Sequence, residues 1–365
     1  LGSPSMVPRR CLSLFCLGLL LIAATCATSA IAAPLNLLVI TMDDMSCDSV
    51  GAYGCPLAGT TPHMDQLAST ALRFERAFVQ VGNCMPSRNV MWSGRYPHTT
   101  GVEGFQQERS ATHPHLVDLL KGAGYVTAIR GKVSHSTPWS PYPWDLVLDD
   151  AGSRKPHIKD AATYGESTRL GIASAREAGK PFGLVINISD PHKPLYGMGA
   201  GVETFIEDPH VPSRICSPQE VPIPGFLFDH PRVRLELAHY YSSVRRGDDC
   251  VGSVLAALEK AGLRDQTLIV LLSDHGMPLP FAKTGLWYHS LRTPLMIRWP
   301  GVTPPGSVDR EHLVSAVDLL PTILDVLEIP HPDNGLQGRS FAQVLQGTPQ
   351  TGREYVVGEH NENAG

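Results

Sequence analysis

A cysteine and an arginine stand four residues apart in Cys84-Met85-Pro86-Ser87-Arg88. A helix that begins near Cys84 and runs through Met91 carries both on one face, because side chains four residues apart stack along a helical surface. A reactive sulfur beside a fixed guanidinium suits an anionic substrate. Three carboxylates supply a second chemistry: Asp43 and Asp44 are adjacent, and Asp274 precedes His275. Hard oxygen donors of this kind are what Ca2+ or Mg2+ requires, and carboxylates brought together repel one another unless a cation lies between them. His275 is a softer donor that either joins the metal or hydrogen-bonds the substrate. The chain carries a formal charge of −5, so anion recognition has to come from local cations, and Lys132 and Lys283 supply them.

These residues share one place in the pattern of the chain. Residues 35–42 (LNLLVITM) are apolar throughout and run into Asp43-Asp44. In the same way YVTAIR (125–130) leads to Gly131-Lys132, FGLVINIS (182–189) to Asp190-Pro191-His192, and TLIVLLS (267–273) to Asp274-His275-Gly276. Short continuous apolar runs read as buried parallel strands, and open α/β sheets bind ligands beyond the carboxyl ends of such strands. The spacing predicts helices from Pro62 or His63 to about Ala71 with Thr61 as N-cap, from Leu116 to Lys121 closed by Gly122, and from Asp318 to Leu327. ALRFERAFVQ (71–80) reads as a strand or connecting segment, and EYVVGEH (354–360) as a strand. Proline-rich stretches at 137–144 and 209–231 read as long loops over one face, the kind that shapes a pocket. The fold class is α/β, a large mostly parallel sheet sandwiched by helices.

The stretch C-x-P-S-R at Cys84 to Arg88 resembles the core signature of the sulfatase family. The surrounding motifs follow in family order: Asp43-Asp44, SGRYPHTTGV after the cysteine motif, GKVSH at 131–135, DPHKP at 190–194, SDHG at 273–276, Lys283, then PLMIRWPG. The resemblance covers roughly Asn36 to Pro330 and is nearest to sulfamidase-like and iduronate-sulfatase-like members that act on glycosaminoglycan sugars. It implies an alkaline-phosphatase-like fold and a Cys84 oxidised to formylglycine by a maturation enzyme. It also implies one divalent ion, Ca2+ rather than Mg2+, held by Asp43, Asp44, the modified Cys84, Asp274 and His275. In the implied mechanism one hydroxyl of the hydrated formylglycine attacks sulfur, and the other later loses a proton to expel sulfate. Arg88 would orient the hydrate, His135 assist its deprotonation, His192 protonate the departing oxygen or nitrogen, and Lys132 and Lys283 hold the sulfate oxygens.

With 365 residues, 42% hydrophobic and 18% charged, the chain has ordinary globular composition and enough length for a large core. Its acidic balance disfavours nucleic acid as a partner. From Met6, a basic pair (Arg9-Arg10), an apolar run to Ala24 and small residues ending at Ala33 form a signal-peptide pattern over 1–33. Cleavage there leaves no membrane span and an exported protein, periplasmic, secreted or lysosomal by host. Residues 34–330 then form the catalytic domain and 331–365 the start of a smaller, truncated C-terminal α+β subdomain. Of eight cysteines, Cys47, Cys55, Cys84, Cys216 and Cys250 remain after the leader, an odd number. The sequon at Asn187 falls in a predicted buried strand, where glycosylation is disfavoured. Two rival functions stay open: a phosphatase or phosphodiesterase of the same superfamily, with two zinc ions, and a non-catalytic binder of sulfated glycans.

Overall fold

A computed structural model describes residues 1–2, 34–105, 113–149, 157–332 and 335–360. The signal-peptide pattern expected over 1–33 lies, apart from residues 1–2, outside the described residues. In chain order from Pro34 the elements are β1 (Asn36–Asp43), α1 (Pro62–Ala68), β2 (Leu72–Phe74), β3 (Ala77–Phe78), α2 (Cys84–Ser93), α3 (Pro97–Thr100), α4 (Leu116–Gly122) and β4 (Val126–Arg130). There follow α5 (Val133–Ser136), β5 (Leu146–Val147), α6 (Ala161–Ala178), β6 (Phe182–Pro191), α7 (Pro231–Lys260) and β7 (Thr267–Ser273). The last are α8 (Tyr288–Leu291), β8 (Leu295–Arg298), β9 (Val308–Asp309), β10 (Val314–Ser315), α9 (Leu319–Val326) and α10 (Ala342–Leu345).

Eight strands form one sheet in the order β5-β4-β6-β1-β7-β8-β2-β9. β1 lies at its centre, parallel to β6 and β7, and β4 continues the parallel half, while β8 runs antiparallel to β7 and β2. Successive side chains of a strand point to opposite faces, and β1 has apolar residues at both parities. Leu38, Ile40 and Met42 pack into a core with α1, α6 and α7, whereas Leu37 and Val39 pack into a second core with α4, α9 and α10. The sheet is therefore covered on both faces, as expected from its unbroken apolar strands. Truncating a buried residue such as Ile40 to Ala would cost about 2–5 kcal/mol.

The two longest helices had no counterpart in the sequence reading. α6 starts where Asp160 accepts the Ala162 amide and stops at Gly179 in the left-handed region. α7 spans 30 residues behind Pro231, with His230 accepting the Arg232 amide. The two pack side by side against the sheet, and Gly171 of α6 lies so near β6 that a Cβ there would meet Leu184 Cδ2 at 2.5 Å.

Two sequence expectations need correction. α1 ends at Ala68; Thr61 stands at its N-cap as expected, but its side chain caps no helix amide, and the His63 and Met64 amides instead donate to the carboxylate of Asp248 on α7, at 3.0 and 2.9 Å. A distant carboxylate thus fills the capping role. Residues 354–360 form no strand; their main-chain tie to the described residues is the Glu359 amide on the Gln80 carbonyl, 2.7 Å, which is too little for a ladder. Residues 335–353 lie against the body of the fold, with Phe341 edge-on to Phe74 and Arg353 paired with Asp318.

Candidate active site

Four parallel strands deliver the polar residues to one end of the sheet. The apolar alternation of β1 ends at Asp43, and Asp44 follows in the left-handed region at φ 65°. β4 is followed by Gly131 and Lys132, also left-handed at φ 69° and 50°, which turns the chain so that the lysine reaches Asp43 at the end of β1. Left-handed backbone at Asp44 and Lys132 costs on the order of 1 kcal/mol each, held in place by the packed strands around them. Cys84 begins α2, whose ten residues are all buried.

Arg88 is the hub. Fully buried, it donates to Thr41 Oγ1 at 2.5 Å, to Asn187 Oδ1 at 2.6 Å and to Asp274 Oδ2 at 2.8 Å, with Asp43 Oδ2 at 3.8 Å. Asn187 in turn donates to the Gly131 carbonyl at 2.7 Å. One guanidinium and one amide therefore tie together the ends of β1, β4, β6 and β7. Thr41 and Asn187 were missed as functional residues, because a lone polar side chain in an apolar strand does not declare which way it points. The Asn187 sequon is buried and committed to this network.

The remaining predicted residues surround Cys84. Its Sγ is 3.5 Å from Asp43 Oδ1 and 3.4 Å from His275 Nε2. Lys132 Nζ lies 2.6 Å from Asp43 Oδ2, and Lys283 Nζ donates to both oxygens of Asp44 at 2.7 and 2.9 Å. His275 Nε2 is 3.2 Å from Asp44 Oδ1. One donor atom from each of Asp43, Asp44, Cys84 and His275 falls within 4.8 Å of the others, all four residues buried. Asp274 stands beside this group, with one oxygen on Arg88 and the other accepting the Asp44 amide at 3.1 Å. His192 lies close enough to favour the carboxylates of Asp43 and Asp44. His135, edge-on to Phe105, has an Nδ1 with no hydrogen-bond partner.

Electrostatics follow from this crowding. Burial alone would raise Asp43, but Lys132, Arg88 and His192 overturn that and hold it far below the usual carboxylate range. Burial raises Asp44, only partly opposed by His275 and further raised by Asp43. Burial and then the Asp43 and Asp274 charges push the Cys84 thiol well up, which disfavours the thiolate. Burial and the cations Lys132 and Arg88 lower His135 to about 4, leaving it neutral and able to take a proton at neutral pH.

The donor set suits a hard cation. Asp43 Oδ2 is buried and, despite Lys132 at 2.6 Å, accepts no hydrogen bond of good geometry, so beyond the Lys132 and Lys283 ion pairs the group still offers a cation converging carboxylate oxygens with one sulfur and one imidazole. Of the other histidines, His98 pairs with Glu359 at 2.6 Å beside a cavity of about 460 Å³ that Val81 also lines. His289 packs on Phe226 and faces Asp48.

Comparisons with known proteins agree with this geometry. The sulfatase family profile matches residues 35–329. The chain is 31% identical over 372 residues to human N-sulphoglucosamine sulphohydrolase, covering 95% of this chain and 72% of that protein. It is 26% identical over 389 residues to human arylsulfatase A, covering 92% and 72%. A solved structure described as a complex with its substrate D-glucosamine-2-N,6-O-disulfate superimposes with a TM-score of 0.70 at 20% identity, over 90% of this chain and 84% of that one. The mostly parallel eight-stranded sheet with flanking helices is the alkaline-phosphatase-like fold those structures share. With an acidic pair, a cysteine motif and flanking lysines converging at the strand ends of that fold, this chain belongs to the sulfatase family, whose members are sulfuric ester hydrolases.

Proposed function

We propose that the protein hydrolyses a sulfate ester or N-sulfate on a sulfated sugar, using a formylglycine made from Cys84 and one bound Ca2+ ion. The observation that carries this reading is the buried group of Asp43, Asp44, Cys84 and His275 flanked by Lys132, Lys283 and Arg88. A metal held there would polarise a sulfate oxygen and acidify a hydroxyl on the residue derived from Cys84. Asp43 and Asp44 would be its carboxylate ligands, with Asp274 and His275 completing the set. Lys132 and Lys283 hold the sulfate oxygens as charge grows on them. Arg88, locked by Thr41, Asn187 and Asp274, fixes the modified side chain. His135 takes a proton from that side chain, and His192 gives one to the leaving atom.

The human N-sulphoglucosamine sulphohydrolase likeness and the glucosamine disulfate named as the structural neighbour's substrate support an amino-sugar sulfate as the substrate class. The leader pattern supports export. Residues 34–330 are read as the catalytic domain and 331–365 as belonging to a smaller C-terminal subdomain. The functional test is turnover of glucosamine N-sulfate and of an O-sulfated monosaccharide beside 4-nitrophenyl sulfate and 4-nitrophenyl phosphate, with Ca2+ present. Sulfate release from a sugar, at least about tenfold above any phosphate release, is the expected result. Preferential phosphate release would promote the phosphatase reading, and no turnover with tight sulfated-glycan binding would promote a binding role.

A further inference from the structure

A second charged cluster lies beside the first and takes no part in holding metal or sulfate. Lys159, on the segment before α6, is almost fully buried, with 4% of its surface exposed. Its ammonium donates to Asp190 Oδ1 at 2.8 Å, to the carbonyl of His192 at 2.7 Å and to the carbonyl of Ser189 at 3.3 Å. Arg246 of α7, equally buried, donates to Asp190 Oδ2 at 2.7 Å and Oδ1 at 3.2 Å from the other side. Its remaining donors reach Asp208 Oδ2 at 2.5 Å and the His210 carbonyl at 3.0 Å. The turn is closed by the His192 amide on the Ser189 carbonyl, 3.0 Å. Lys159 and Arg246 hold the turn that presents His192 directly, and the 208–210 segment holds Arg246 from behind.

Stability alone does not account for this cluster. Desolvating each ion costs several kcal/mol, and a buried ionic cluster is commonly no more stable than apolar residues of the same volume. What the cluster does supply is directional: three donors from one ammonium fix two carbonyls and a carboxylate of a single turn. The imidazole on that turn is already oriented, since His192 Nδ1–H donates to the Lys193 carbonyl at 2.6 Å, leaving Nε2 as the atom that exchanges a proton with substrate.

Resting on the reading of His192 as the proton donor, we propose that Lys159 is a positioning residue. It clamps the 189–192 turn so that His192 Nε2 meets the leaving atom. As the bond from sulfur to that atom breaks, its electron pair passes to the oxygen or nitrogen, which takes the proton from Nε2. A 4-nitrophenolate leaves without such help, whereas an alkoxide or amine needs it. Loss of Lys159 therefore penalises poor leaving groups selectively.

The test compares wild type, Lys159→Met, Lys159→Arg and His192→Gln, matched for fold, metal and modification at residue 84, on 4-nitrophenyl sulfate and on a sugar sulfate. Lys159→Met should lower kcat on the sugar sulfate about 10–100-fold while 4-nitrophenyl sulfate changes by less than about threefold, with partial rescue in Lys159→Arg. In the His192→Gln background Lys159→Met should add no further selective loss. Independently of activity, amide hydrogen exchange across 189–193 should speed up by about tenfold or more. Equal losses on both substrates, or a selective loss that persists without His192, would overturn the positioning role. If Lys159→Met does not fold, Lys159→Gln is read by the same criteria. His192→Gln lacking any leaving-group selectivity would instead sink the assignment of His192, a separate and recognisable failure.

Discussion

Lys283 is the side chain whose role is most cleanly separable from folding. It reaches Asp44 and leaves a quarter of its side chain in solvent, whereas Arg88 is wired into three strands. Lys283→Ala should therefore leave the thermal midpoint nearly unchanged while lowering kcat/KM for a sulfate substrate by about 10²-fold, the scale of one lost anion-stabilising group; steady-state kinetics with a melting curve decides it. His115 offers a pH test away from the metal group. Burial, then His113, lowers it to about 3 from an ordinary 6.5. The unfolded chain takes up the proton first, so the stability tied to neutral His115 is present above pH 6.5 and is lost as pH falls from there towards 3. The slope in that window is about 1.4 kcal/mol per pH unit, and denaturant unfolding of His115→Gln should show it flattened. Cys84, Arg88 and the Asp pairs were legible in the sequence because contiguous motifs carry them. Thr41, Asn187 and Lys159 were not: each is a single polar residue whose partner lies far along the chain, as with Lys159 and Asp190.

At the scale of elements, the strands were legible and the long helices were not. β7 begins and ends at the predicted residues because seven apolar residues between turn signals leave one reading. α6 mixes glycine, serine and threonine among its apolar positions, and α7 carries Arg246 and Asp248 on its buried side, so neither shows a clean stripe. Burial of those polar residues is made possible by partners on other elements, such as Asp190 for Arg246. The cost of α6 composition appears where it touches the sheet. Gly171→Val would drive a side chain into Leu184 and should destabilise by about 1–3 kcal/mol, read by chemical denaturation, with kcat per folded molecule retained because the contact lies outside the site. An unchanged midpoint would mean that α6 can withdraw from β6. The failure of residues 354–360 to form a strand has the same lesson: alternation and β-branched residues were present, but no sheet edge received them.

Across the whole molecule, the sheet acts as a platform on which carboxylates from two strand ends, a cysteine from a buried helix and lysines from two loops meet at one point. A divalent ion that binds this group binds the folded chain and not the unfolded one, so metal should stabilise the fold. At Ca2+ one hundred times its dissociation constant the gain is about 2.7 kcal/mol, visible as a rise in melting temperature that a chelator reverses. No response to Ca2+ or Mg2+ would remove the metal from the account. The central claim is narrower still, that Cys84 acts as an aldehyde and not as a thiol. It is tested by the mass of the peptide spanning Cys84 from protein made with a formylglycine-generating enzyme, alongside sulfate turnover by wild type and Cys84→Ala. The account predicts the aldehyde mass in step with sulfate release, and both lost in Cys84→Ala. An unmodified thiol in protein that still releases sulfate would contradict it.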